Sequence, residues 1–413
     1  MTPYLLFILA VLILEYLLNQ TVAILDLRTL DPKLPEEFSD IYSQEKYKKS
    51  QEYTRVTIKF SQIQSTVDLI LTLAMILLGG FNLVDLFARS FNLDSISTGL
   101  IFMGVLGFLA FLLSLPFSVY STFVIEERFG FNTTTIKTFI LDILKGIFLG
   151  IIIGAPLLTL VLWFFQTAGD LAWLYVWIAV TLFTLIIQFL APVLIMPLFN
   201  KFTPLEDDEL KESITNYVQT QKFAIEGIYT MDGSKRSTRL NAFFTGFGRF
   251  RRIVFFDTLM EKLEPDEILG VLAHEMGHFK KKHIFKMMGA SILQSGMMFF
   301  VLSLFLGNPQ LFDAFGMAHI SIYASLLFFG FLYSPISMLL AIFFNISSRK
   351  YEYEADEWAV KSTQNEKALI SGLKKLSLHN LSNLTPHPLD VFLNYSHPPI
   401  LQRLRAIEAL SKE

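Results

Sequence analysis

The chain has 413 residues, of which 53% are hydrophobic and only 17% charged, against roughly 25% charged in an ordinary soluble domain, so the composition points to a membrane protein. A net charge of −3 argues against a general nucleic-acid-binding field. The absence of Cys excludes disulfides, thiolate nucleophiles and Cys-based metal sites, so any metal must be held by His, Asp or Glu.

Seven apolar segments approach the length of about 20 residues needed to span a bilayer. They run near 4–25, 64–87, 97–122, 146–166, 172–194, 287–306 and 319–344. The first is not a clean signal peptide, because it lacks a basic start and Glu15 and Asn19 interrupt it. Lys and Arg alternate between the connections. Arg28, Lys33, Lys46, Lys48, Lys49, Arg55 and Lys59 follow the first span, Arg89 alone follows the second, and Arg128, Lys137 and Lys145 follow the third. Residues 167–171 and 307–318 carry neither, whereas 195–286 and 345–413 are rich in both. The positive-inside rule then puts the N-terminus outside and the C-terminus in the cytoplasm. Glu15, Asp68 and Asp85 lie within or at the ends of spans, where acids usually face a bundle interior or a water-filled cavity. The expected fold class is all-α and multi-pass, with a mainly helical cytoplasmic domain and a small β-structure at most. Residues 1–195 form a membrane region of five transmembrane helices. Residues 196–413 form a second domain that contains spans six and seven.

The chemistry is concentrated at V-L-A-H-E-M-G-H-F-K, residues 271–280. His274 and His278 are four apart, so a helix puts both imidazoles on one face. This is H-E-x-x-H, in which two His bind zinc and the Glu, here Glu275, acts as general base. Pro265 suits the first helical position, and Asp266 and Glu267 suit the first turn. The plainer reading is two structural histidines on an amphipathic helix. Only seven His occur in the chain, and two of them at this spacing around a Glu favour the metal. Catalytic zinc takes three protein ligands and one open position. The third ligand lies elsewhere, and S-R-K-Y-E-Y-E-A-D-E-W at 348–358 offers Glu352, Glu354, Asp356 and Glu357. Glu352 and Asp356 share a helix face, but spacing alone does not choose among these acids or exclude a solvated acidic face.

These segments carry a family resemblance. H-E-M-G-H is accompanied by E-E-R-F-G-F-N-T at 126–133, P-L-F-N-K-F-T-P-L at 197–205, G-S-K-R-S at 233–237 and N-A-F-F-T-G-F-G at 241–248. R-R-I-V-F-F-D-T-L at 251–259, S-R-K-Y-E-Y-E-A-D at 348–356 and Y-S-H-P-P at 395–399 follow, with Arg403 after them. Together they resemble the type I CaaX prenyl proteases, seven-span integral-membrane zinc metallopeptidases. The resemblance implies one Zn²⁺ per chain, Glu352 as third ligand and Asp356 as its support. It implies that Asn241 binds substrate backbone and that His397 and Arg403 lie near the active centre, with His397 a candidate for the oxyanion. Without it, His397 reads as a structural histidine before a Pro-Pro turn. It also implies a large chamber enclosed by the seven helices.

The expected activity is hydrolysis of a peptide or protein substrate, removing the last three residues of a C-a-a-X chain whose Cys carries a prenyl group. Alternatives are a quality-control protease for misfolded or clogged membrane chains, a metal-binding transporter and a proteolytically dead scaffold. Membrane lipid is an expected partner and nucleic acid is not. His283 lies off the ligand stripe and reads as a helix-end or surface residue, and Lys280–Lys282 as a run facing headgroups or solvent. The compact loops and the terminal L-S-K-E, which is not a dilysine signal, favour a bacterial cytoplasmic membrane over the endoplasmic reticulum.

Overall fold

The computed structural model describes residues 2–31, 33–246 and 251–410. Phe247 and Gly248 of the N-A-F-F-T-G-F-G segment and the last three residues of L-S-K-E lie outside them. Among the described residues, seven helices are long and apolar enough to cross a membrane: Pro3–Thr29, Gln44–Leu77, Ser95–Phe129, Ile136–Thr167, Gly169–Phe199, His283–Phe305 and Ile322–Thr363. Most run well past the apolar stretch that marks them. Hydropathy senses only the section in lipid, whereas the backbone ladder continues into polar sequence. The second helix starts at Gln44 because Ser43 caps it, accepting from the Lys46 amide.

The expected span at 64–87 is corrected. Its helix stops at Leu77, and Gly79 turns the chain in the left-handed region at φ +72°, a conformation that glycine adopts without a Cβ penalty. A separate helix, Gly80–Arg89, follows. It buries Phe81, Val84, Asp85 and Ala88. Asp85 accepts from the Tyr323 hydroxyl at 2.5 Å and from Arg89 Nε at 2.8 Å. Ser334 of the seventh span donates to Glu15 at 2.8 Å, whereas Asp68 is exposed.

The polar block before span six contains a four-stranded sheet with order β1-β2-β4-β3, built from Phe202–Pro204 (β1), Gly227–Met231 (β2), Ala242–Thr245 (β3) and Arg252–Phe256 (β4). β2 and β4 are parallel and the other pairs antiparallel. β3 is an edge strand. The H-E-M-G-H helix, Pro265–Lys280, lies against β3 and is buried over most of its length. It opens as the Pro265 signal predicts, with a reciprocal Glu264–Glu267 capping box. Glu267 also accepts from Ser371 at 2.5 Å and Lys375 at 2.7 Å of helix Glu366–His379.

The seventh-span helix does not end with its apolar stretch. It continues to Thr363 and brings the S-R-K-Y-E-Y-E-A-D segment alongside the H-E-M-G-H helix. Small residues make that approach possible. Ala273, Ala355 and Ala359 are fully buried, and a Cβ on Gly277 would lie 2.9 Å from Ala355 Cα and 3.0 Å from its carbonyl oxygen. Backbone cannot yield to a clash as a flexible side chain can. Replacing Gly277 with Ala is therefore expected to force the two helices apart, at a cost of about 1–3 kcal/mol. The check is a lower thermal midpoint for the variant in detergent than for the parent chain.

Candidate functional site

The two helices face each other across a cavity of about 220 Å³ lined by Asn241, His274, Glu275, His278, Glu352, His397 and Arg403, among others. His274 Nε2 is 3.2 Å from His278 Nε2 and 3.4 Å from Glu352 Oε2, and His278 Nε2 is 3.2 Å from Glu352 Oε1. Four-coordinate zinc with bonds of about 2.0–2.1 Å sets neighbouring ligand atoms about 3.3 Å apart. The two imidazole nitrogens and the Glu352 carboxylate, with one ligand atom from each residue within 4.8 Å of the others, are therefore close enough to share one divalent cation. Glu352 Oε2 is buried with no hydrogen-bond partner, a state that is costly for a carboxylate oxygen and that a cation relieves. Among the described residues these three are the group of His, Asp or Glu able to hold a metal.

The outer nitrogen of His274 is fixed by its surroundings. Its Nδ1–H donates to Asp356 Oδ1 at 2.8 Å, leaving Nε2 free to bind. Arg403 clamps Asp356 through Nε to Oδ2 at 2.9 Å and Nη2 to Oδ1 at 2.7 Å. Its Nη1 stands 3.3 Å from Glu352 Oε2. Burial and the Arg403 charge work against an imidazolium at His274, but Asp356 and Glu352 outweigh them and push it up to about 9. A metal on Nε2 competes with that proton.

The remaining predicted residues also reach the cavity. Glu275 lines it and is half-buried. His397, in the turn after helix Pro388–Asn394, is exposed with Nε2 at 3.4 Å from Glu352 Oε1. Asn241 immediately precedes β3 and is exposed. Its carbonyl accepts from the Phe256 amide of β4 at 3.0 Å. All eight residues named from sequence thus meet here, with Asp356 behind the cavity wall.

Two features depart from the sequence reading. His283 begins the sixth-span helix as a helix-end residue, yet it is 2% exposed rather than on the surface. Its Nδ1 is 3.2 Å from His278 Nδ1, and Glu354 accepts from its Nε2 at 3.0 Å. Sequence spacing misses this because the chain breaks at Lys282, which takes φ +59° and folds His283 back towards His278. Lys280 likewise turns inward and donates to the Gln221 carbonyl. The cavity is not isolated either. A second space of about 900 Å³ opens among spans four to seven, lined by Leu157, Val180, Phe183, Met287 and Phe344, and His278 borders both.

Comparison with known proteins identifies the family. Residues 25–201 match the family model described as "CAAX prenyl protease N-terminal, five membrane helices", and residues 204–411 match "Peptidase family M48". The chain is 35% identical to a CAAX prenyl protease 1 homolog of Arabidopsis thaliana, covering 94% of each chain. It is 33% identical to CAAX prenyl protease 1 of Saccharomyces cerevisiae, over 93% of this chain and 90% of that one. The crystal structure of S. mikatae Ste24p superposes with a TM-score of 0.94 at 33% identity, covering 99% of this chain and 100% of that chain.

The Arg403 clamp generates a test. Arg403 is 8% exposed and faces two buried carboxylates. Breaking a buried ion pair by removing one partner costs about 3–5 kcal/mol. Arg403→Met is expected to lower the unfolding free energy by that order, as measured by denaturant unfolding in micelles.

Proposed function

The chain belongs to peptidase family M48, within its CAAX prenyl protease group, and is a membrane metalloprotease; from that premise we propose that its metal is zinc, one ion per chain, and that it removes the last three residues of prenylated C-a-a-X proteins. The observation that carries the reading is the His274–His278–Glu352 cluster, with Glu275 lining the same cavity. In this proposal His274, His278 and Glu352 hold the zinc, with Asp356 orienting His274 through its outer N–H. Bound zinc would lower the pKa of a water to ~7 and polarise the scissile carbonyl.

The chain's own residues supply the rest. Glu275 takes the proton of the attacking water and delivers it to the leaving amine. His397, exposed beside Glu352, stabilises the oxygen charge that develops on the carbonyl. Asn241, at the entry to the edge strand, binds substrate backbone, and Arg403 holds Asp356 and Glu352 in place. The larger, mainly apolar space that borders His278 supports a lipid-bearing substrate, since it leads from the spans to the metal site. Membership of a peptidase family sets aside the metal-transporter and dead-scaffold readings. Residues 1–195 and 196–413 are proposed as the membrane region and the peptidase domain. A bacterial cytoplasmic membrane is the proposed location, and lipid a partner there.

Four measurements test this reading. Glu275→Ala is expected to abolish turnover while the purified protein keeps about one zinc per chain. Glu352→Ala is expected to lose the zinc itself; wild-type cleavage by the Glu275 variant overturns the mechanism. Purified protein is expected to cleave a farnesylated C-a-a-X peptide, and preference for an unmodified unfolded chain would move the substrate class to quality control. Because the chain has no Cys, single cysteines report topology directly. Asp170→Cys is expected to react with a membrane-impermeant maleimide from outside and Lys211→Cys is not, in line with an outside N-terminus.

A further inference from the structure

The sites behind the two histidines of H-E-M-G-H differ. His274 is backed directly by Asp356. His278 is backed by another imidazole. His278 Nε2 points at His274 and Glu352, so its Nδ1 faces away, and His283 Nδ1 stands 3.2 Å from it. His283 Nε2 in turn lies 3.0 Å from Glu354 Oε2. Only one arrangement of hydrogens satisfies this row when His278 Nε2 must remain free to bind a cation. His278 Nδ1–H donates to His283 Nδ1, and His283 Nε2–H donates to Glu354. The carboxylate, which only accepts, sets the tautomer of both rings.

The row is also held rigidly. His283 is buried and stacks on Tyr351 with ring centroids 4.2 Å apart and planes within 10°. Tyr351 and Glu354 are successive on one face of the seventh-span helix, the helix that carries Glu352. Lys282 adopts a left-handed backbone to put His283 there, which for a residue with a Cβ is a sparsely populated conformation.

We propose that Glu354 and His283 are positioning residues for the reaction: a carboxylate–imidazole relay that fixes the tautomer and ring orientation of His278 and so sets the affinity of the metal site. The inference rests on the metal reading of His274, His278 and Glu352. The two histidines then both end on carboxylates of one helix, Asp356 by direct contact and Glu354 through His283. Outer partners of metal-binding histidines typically change metal affinity by about 10–100-fold, and this row is expected to act on that scale.

The test is zinc affinity of the purified full-length chain, measured by competition with a chromophoric chelator, together with kcat and KM on a cleavable peptide. His283→Phe keeps an aromatic ring against Tyr351 but offers no hydrogen bond. His283→Gln loses the ring but keeps an acceptor and a donor. The relay predicts zinc binding weakened about 10–100-fold in His283→Phe and largely recovered in His283→Gln. A stacking role predicts the reverse order and overturns the proposal. Glu354→Ala is expected to weaken zinc binding, and in combination with His283→Phe to add little, since both cut one row. Additive losses, or zinc affinity in His283→Phe within twofold of the parent, also overturn it. If wild-type protein binds no zinc, the metal reading itself fails, a result separate from failure of the relay.

Discussion

The approach of two helices at Gly277 and Ala355 is the constraint on which the rest of the site depends. Three donor atoms must stand about 3.3 Å apart to share one tetrahedral ion. His274 and His278 achieve part of this on a single helix, because four residues make about one turn. Glu352 comes from a helix that begins on the other side of the membrane region, and it reaches the histidines only if the backbones come close. Gly277, Ala273, Ala355 and Ala359 keep the seam thin. Between these small residues the same helix faces carry His274, His278, Glu352 and Asp356. The packing seam and the metal site are thus one surface, and a change to either is felt by both.

Close approach also buries charge. Glu352 and Asp356 are 3% and 1% exposed, which is tolerable only because positive partners surround them. Arg403, from the C-terminal helix Ile400–Leu410, supplies a fork to Asp356 and a nearby charge to Glu352. The tail of the chain therefore closes the site from behind, while the turn just before it brings His397 to the front.

Other motif segments fasten the membrane region to the polar block. The Thr133 amide, at the end of E-E-R-F-G-F-N-T, and the hydroxyl of Thr134 just after it donate to the Arg236 carbonyl of G-S-K-R-S at 3.2 and 3.0 Å. Arg236 grips Asp142 of the fourth span with two bonds of 2.7 and 2.8 Å. Arg239 reaches Glu126 at 3.0 Å and lies 4.2 Å over the Phe131 ring. These contacts hold the sheet and the H-E-M-G-H helix at a set height against the bundle. Such segments look functional in a sequence, yet their contacts here are those of a joint.

By itself, the sequence determined whatever depends on local periodicity and residue chemistry. Apolar length marked seven spans, and the His274–His278 spacing with its intervening Glu275 marked the metal-binding helix. Pro265, Asp266 and Glu267 marked where that helix starts. The choice of Glu352 from an acidic run needed a family resemblance, because four acids on one helix are equivalent until a partner helix selects a face. Only the tertiary structure decided that the seventh span continues unbroken into Glu352 and Asp356, and that Gly79 ends the second span early. It alone placed His283 and Glu354 behind His278. Those outcomes turn on two left-handed residues and one close backbone contact, none of which leaves a periodic trace in the chain.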